Sequence, residues 1–336
     1  MTTAPTLTDE LELPDEYRPD FEPGRYAGVP NQVYHACPSI SSSSISELSR
    51  SVDHYLAARE KEKSSDALDF GTMFHTALLE PGRFREDYLD VQPPSKADGS
   101  GWRSKVMLTA SLRADGHDWE QVADEVGYKQ KTVQAYADKD GFDELVAHFD
   151  EHDVDHDQAF LSDDDHETIA WMDQAIHSHP LAHELMTGGE ARAIEHSFWW
   201  VDPVTGVPCR CRPDLLLWFE GQWVIVDLKS ARDASYWGFR KAIARRGYHS
   251  SAAMYADGVS QHVPGGVQRF LFIAVEKEAP FGIDVYEIDE AGVEQGRDRY
   301  RTALQDWREY LESPDRWTGY GDGESVTTID VPGWAG

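Results

Sequence analysis

The segment RPDLLLWFEGQWVIVDLKS (212–230) constrains this chain more than any other. Two apolar runs flank the short turn Glu220-Gly221-Gln222, so they are predicted to fold back on each other as strands of a hairpin. Asp214 enters the first strand. Asp227 and Lys229 lie two apart on the second, and side chains two apart project from the same face. An acid inside the apolar run WVIVDL is costly unless it is paired or bound to a metal. The hairpin brings Asp214 near Asp227, and two such carboxylates repel until a hard cation relieves them. Mg²⁺ suits the site, because it takes few carboxylates and keeps waters for chemistry. Lys229 is a compact charge that can hold an attacking water and steady charge developing on a phosphoryl group. The cation would polarise the phosphoryl oxygen and activate the same water. The pattern is therefore P-D, twelve residues, D-x-K. Taken alone, the segment is also compatible with an ordinary hairpin carrying exposed acids.

The hairpin sits in a second half written in strand-like periods. Residues 191–202, 207–220, 221–230, 266–278 and 281–289 all read as strands, with a helix over 234–259 between the third and fourth. The order β-β-β-α-β-β predicts a mixed central sheet flanked by helices, an α/β (α+β) fold. A last helix is predicted over 293–313. The first half is helical. The serines of 38–60 offer N-cap oxygens, with Ile45, Leu48 and Leu56 at helical spacing. A second helix over 66–82 is closed by Pro81 and Gly82. Residues 91–104 read as a loop and 105–149 as short helices. Within 118–142, Trp119, Val122 and Val126 precede a turn at Gly127, and Thr132, Val133 and Tyr136 follow it. That is a helix-turn-helix pattern, either a DNA reader or a structural insertion. The acidic stretch 151–167 reads as a solvated linker. The helix over 166–186, broken at Pro180, carries His177, His179 and His183 as surface residues. The organisation expected is a flexible acidic lead (1–23), one domain over 24–315 with a helical insertion at 100–150, and a tail (316–336).

Charge and cysteine content narrow the class further. The 336 residues carry a net charge of −30, and 35 of the 61 acids are Asp while only 10 of the 31 bases are Lys. A nucleic-acid binder is usually basic, so either the partner is not nucleic acid or the acid covers outer surfaces and spares the site. Scarce Lys and abundant Asp suit a halophilic source, with a high-GC genome as the alternative. The three cysteines, Cys37, Cys209 and Cys211, are too few for a disulfide framework or a four-cysteine metal cluster and read as buried or edge thiols. No apolar run approaches the ~18 residues of a membrane span, and the acidic N-terminus lacks a signal-peptide core. The protein is expected in the cytoplasm, without a membrane partner.

Several segments follow one another in a familiar order. They are YHACPSISSSSISELSRSVDHYLAARE, LDFGTMFHTALLEP, HPLAHELM, TGVPCRCRPD, VDLKS, GYHSSAAMYADGV and FIAVEKEAPFGIDVYEI. Together they resemble the PD-(D/E)xK exonucleases of the RecE type, the exodeoxyribonuclease VIII-like proteins of phages and prophages. The resemblance covers roughly residues 24–90 and 160–290 and implies a restriction-endonuclease-like core. It makes His75, in the G-T-x-x-H segment, a metal ligand beside Asp214, Asp227 and the Leu228 carbonyl. It makes Lys229 the catalytic lysine and matches Glu195 to an acidic position one strand earlier. Tyr255 matches the tyrosine of a Q-x-x-x-Y helix along the DNA, but Ser251 stands where the family has glutamine. Arg245, Arg246, Tyr248 and His249 precede it as phosphate-binding candidates. No match covers 100–150, and neither a helicase motif nor a Walker A loop is present.

The resemblance implies an Mg²⁺-dependent deoxyribonuclease, with Mn²⁺ as a substitute, that degrades linear duplex DNA from free ends, 5′ to 3′. Its product strand would pass to a single-strand annealing protein in phage-type recombination within a prokaryotic cell or its virus-infected counterpart, and a homo-oligomer is expected. An endonuclease of the same fold is the first alternative. A DNA-binding or scaffold protein that has lost catalysis is the second.

Overall fold

The computed structural model describes Leu7 and residues 21–59, 66–89, 103–137, 142–143, 146–147, 159–160, 163–315, 319–320 and 324–329. Most of the acidic lead, residues 91–102 of the expected loop, much of the acidic stretch at 151–167 and most of the tail lie outside these residues. The chain divides into two compact units, residues 1–69 with 172–336, and residues 70–171.

The larger unit opens with β1 (Gly24–Tyr26), α1 (Asn31–Ala36), α2 (Ser42–Leu48) and α3 (Val52–Arg59). The next helix, α4 (Asp66–Leu79), leads into the second unit. There follow α5 (Pro81–Asp87), β2 (Tyr88–Leu89), α6 (Arg103–Ala114), α7 (Trp119–Val126), α8 (Gln130–Ala137) and β3 (Ala159–Phe160). Then α9 (Asp163–Ser178) returns the chain to the larger unit. That unit continues with α10 (Pro180–Thr187), β4 (Arg192–Ile194), β5 (Ser197–Val201), β6 (Pro208–Cys211), β7 (Leu215–Phe219) and β8 (Gln222–Ala231). It closes with α11 (Tyr236–Arg246), α12 (Tyr248–Val259), β9 (Arg269–Glu276), β10 (Ile283–Glu287) and α13 (Glu290–Glu312).

The expected mixed sheet is present. Five strands run in the order β10-β9-β8-β7-β4, with β8 at the centre. It pairs parallel with β9 and antiparallel with β7. The parallel pair needs a long crossover, which α11 and α12 supply. A second, three-stranded sheet has the order β1-β5-β6. Trp223, Ile225, Phe270 and Phe272 from the large sheet share one core with Ile45 and Leu48 of α2, Phe239 of α11, Met254 of α12 and Leu304 of α13. The buried residues of α13, at Gly296, Tyr300, Ala303, Leu304 and Trp307, recur every three to four positions and make one apolar stripe.

Several expected elements are broken where the backbone cannot continue. The helix predicted over 234–259 divides at Gly247, whose φ of 71° ends α11 in the left-handed region. The helix at 38–60 divides between α2 and α3. Pro81 opens α5 rather than closing the helix before it, because the first helical position tolerates a missing N–H. The hairpin turn is tighter than read: Phe219 pairs with Gln222, which leaves Glu220 and Gly221 alone at φ 51° and 79°, the signature of a two-residue primed turn. In the second unit, the helical hairpin around Gly127 is formed and packs Leu112, Val122, Val126 and Val133 together, while Thr132 is exposed. All three cysteines are buried. No described helix is long and apolar enough to cross a membrane.

The close approach of α12 and α13 rests on one missing side chain. A Cβ on Gly296 would overlap the His249 carbonyl and reach within 3.0 Å of the Ser250 nitrogen. Gly296→Ala is therefore expected to lower stability by about 2 kcal/mol, an overpacking cost, read as a fall in Tm. An unchanged Tm would show that the two helices can separate freely.

Candidate active site

Two of the predicted strands turn out to be bent, and the bends carry acids. The run 191–202 divides into β4 and β5, which lie in different sheets. At the bend Glu195 has φ 53°, a conformation that costs a residue with a Cβ about 1 kcal/mol. The run 207–220 divides into β6 and β7 at Arg212-Pro213-Asp214, where proline cannot donate to a ladder. The Glu195 N–H donates to the Asp214 carbonyl at 3.1 Å, tying the bends together. One carboxylate oxygen from each of Glu195 and Asp214 comes within 4.8 Å of the other.

The register of the hairpin does the rest. Leu215 pairs with Val226, so Asp214, one step outward, stands opposite Asp227. Both are buried, at 6% and 7% exposure. Asp214 Oδ2 accepts the Leu228 N–H at 2.6 Å. Lys229 Nζ forms an ion pair with Asp227 Oδ2 and donates to the Leu228 carbonyl at 3.3 Å. It also lies 5.4 Å from the centre of the Tyr248 ring. Burial opposes the Lys229 ammonium, yet the Asp227 and Asp214 carboxylates outweigh it and hold its pKa above the ordinary lysine value. The site thus gathers hard oxygens and one fixed cation on the central strand of the sheet. Oxygen donors of this kind fit a hard divalent cation such as Mg²⁺.

The remaining candidates are placed as follows. His75 is half-buried on α4, its ring 5.8 Å from that of Phe74. Arg245 and Arg246 are exposed on the last turn of α11. His249 is buried on α12 with Nδ1 3.4 Å from the Ile243 carbonyl, and burial lowers its pKa. Ser251 and Tyr255 are half-buried, and the Tyr255 hydroxyl lies 3.3 Å from Ser42 Oγ. Burial pushes the Tyr255 phenol up.

The sequence reading missed the arginines that brace the bend. Arg212 donates to Ser197 Oγ at 2.8 Å, Asn31 Oδ1 at 2.6 Å and the Val29 carbonyl at 2.7 Å. Arg210, buried at 5% exposure, donates to the Cys37 carbonyl at 2.8 Å. The guanidinium carbons of Arg210 and Arg212 lie 5.0 and 4.3 Å, respectively, from the centre of the Tyr34 ring. Two arginines alternating with cysteines in an apolar strand are an available signal, since a buried guanidinium needs partners.

The chain belongs to a family described as a PDDEXK-like domain of unknown function (DUF3799), whose model matches residues 41–320. The fold is therefore that of a PD-(D/E)xK nuclease. A presumed exonuclease from Eubacterium rectale aligns over 88% of this chain and 91% of its own, at 13% identity and a TM-score of 0.48. The structure of SSO0001 aligns over 69% and 85%, at 8% identity and a TM-score of 0.24. Both likenesses are too distant to speak to chemistry. No curated protein matches the chain.

The bond from the Leu228 N–H can be tested without activity. Asp214→Asn keeps an acceptor oxygen and removes a charge from an acidic cluster, so in EDTA it is expected to melt close to the parent. Asp214→Ala removes the acceptor and is expected to cost about 1–3 kcal/mol. Equal melting of the two variants would contradict a structural role for this bond.

Proposed function

We propose that the protein is a divalent-metal-dependent deoxyribonuclease that degrades linear duplex DNA from its ends, 5′ to 3′, and supplies a single strand for phage-type recombination. The observation that supports it best is the opposition of Asp214 and Asp227 across the hairpin, with Lys229 held against Asp227. Asp214, Asp227, Glu195 and the Leu228 carbonyl are the proposed oxygen donors for Mg²⁺, or Mn²⁺ in its place. His75 is the proposed nitrogen donor, from its place in the G-T-x-x-H segment. The bound cation would supply Lewis-acid polarisation of the phosphodiester and an acidified water. Lys229, kept charged by its two acids, would stabilise charge developing on the scissile phosphate. Asp227 would orient that ammonium as well as bind. Arg245 and Arg246 at the end of α11 would contact backbone phosphates, with Tyr248, His249, Ser251 and Tyr255 of α12 as the further proposed DNA-binding residues. The proposed partners are duplex DNA with free ends, an annealing protein for the product strand, and further copies of the chain.

The test is a time course on end-labelled linear duplex with Mg²⁺, run beside a closed circle. Loss of label from the linear DNA alone is expected, while nicking of the circle would favour an endonuclease. Lys229→Ala is expected to slow cleavage by orders of magnitude, a loss of about 3 kcal/mol or more of transition-state stabilisation, and to retain metal. Asp227→Ala is expected to lose both cleavage and calorimetric Mg²⁺ binding. Wild-type cleavage by Asp227→Ala would overturn the site assignment.

A second expectation follows from the net charge of −30. Salt weakens local phosphate contacts but also screens the repulsion between an acidic protein and DNA, the Debye length being about 3 Å at 1 M. We propose a halophilic protein in which the second effect prevails, so that activity and Tm both rise from low salt toward molar KCl. A steady fall of both from about 0.1 M upward would reject it.

A further inference from the structure

Helix α11 is an anomaly on this surface. It carries Arg240, Lys241, Arg245 and Arg246 and no acidic residue, within a chain of 61 acids and 31 bases. All four cations are exposed, and the acid beside this helix is Asp233, whose carboxyl is held low by hydrogen bonds from Ser235 and also by Lys241. Two large aromatic residues open the same helix and stay outside the core. Tyr236 is 58% and Trp237 64% exposed. Their rings meet edge to face, 5.0 Å apart at 82°, and the Arg240 guanidinium lies 5.5 Å from the centre of the Trp237 ring.

This exposure is not a by-product of loose packing. Phe239, on the opposite side of the helix, is 1% exposed and stacks on Tyr286 at 5.1 Å, which fixes the phase of α11. At about 100° per residue, Tyr236, Trp237, Arg240, Lys241 and Ala244 then share one outward face. Scattered exposed apolar residues are ordinary on protein surfaces. Adjacent aromatic rings beside two cations on one helix face are a different surface, since a π-face accepts a nucleobase and the cations accept the phosphates beside it.

We infer that this face of α11 is a binding site for an unpaired DNA strand, with Trp237 and Tyr236 stacking on bases and Arg240 and Lys241 meeting phosphates. The inference rests on the nuclease reading above for its biological use, and it extends that reading to a site nothing else assigns. The helix starts five residues beyond the end of β8 and ends beside Tyr248, the ring next to Lys229. Its 11 residues span about 16 Å. A strand stacked on Trp237 at one end of the helix would therefore be held a few nucleotides from a phosphate bound at its other end. Trp237 would thus act as a positioning residue, and exposed ring faces flanked by cations fit a strand of stacking bases and phosphates better than a second copy of the chain.

The experiment uses the full chain in EDTA, where a metal-dependent nuclease does not cut. Binding of labelled oligo-dT is followed by anisotropy, and stacking by quenching of 2-aminopurine placed in the strand. Trp237→Ala is expected to weaken oligo-dT binding roughly tenfold, within the range of one lost base–aromatic stack, and to abolish most of the quenching. Trp237→Phe should recover most of both. An unchanged Tm for both variants separates this from unfolding. Wild-type affinity and quenching in Trp237→Ala would overturn the inference, as would a changed sedimentation coefficient without changed strand affinity, which would mark the face as a contact between copies. The nuclease reading fails separately: a wild-type protein that stacks the strand through Trp237 but leaves linear duplex intact with Mg²⁺ keeps this site and loses that activity.

Discussion

Everything distinctive about this protein depends on two carboxylates being forced together across a hairpin. Asp214 and Asp227 are buried and opposite one another because Phe219 pairs with Gln222 around a two-residue turn. A shift of one residue would send Asp227 and Lys229 to the other face of the sheet. The turn residues Glu220 and Gly221 both take positive φ, so the backbone itself specifies the register. Like charges so placed cost free energy in the absence of compensation. Lys229 against Asp227 and the Leu228 N–H against Asp214 supply part of it, and a divalent cation is proposed to supply the rest.

The sheet turns this local arrangement into a rigid platform. β8 lies between β7 and β9, with Asp227 and Lys229 in register with Phe272 and Ala274. The β9 ladder fixes the backbone that carries both side chains. Helices α11 and α12 arise from the same topology, because a parallel β8–β9 pair requires a crossover. That crossover brings the basic helix and Tyr248 to the end of the strand that carries Lys229. Fold and candidate site are thus one construction: the crossover that completes the sheet also presents the exposed cations.

Much of this was legible in the sequence, and the failures have definite causes. The hairpin, the central sheet and the D-x-K pair followed from apolar runs and period-two placement, since those signals are local. The bends at Glu195 and Asp214 did not, although Pro213 marked one of them. Periodicity sees an unbroken apolar run and cannot tell that its two halves serve different sheets. The division at Gly247 is hidden from spacing because helical periods continue on both sides of its left-handed φ. The role of Arg210 and Arg212 depends on Val29, Asn31 and Cys37, more than 170 residues away in sequence, and no local pattern encodes such a contact. Trp237 faces outward because Phe239 takes the inward position, a choice that apolar spacing alone does not decide.

The chemistry of this protein turns on whether the opposed acids make a cation site. Mn²⁺ titration followed by electron paramagnetic resonance measures this directly, without DNA and without turnover. The wild-type protein is predicted to hold Mn²⁺ at a site that Mg²⁺ displaces, and Asp214→Asn and Asp227→Asn are each predicted to abolish it while leaving the fold intact. Wild-type binding in both variants would contradict the account, because the two acids would then be opposed for some reason other than a metal.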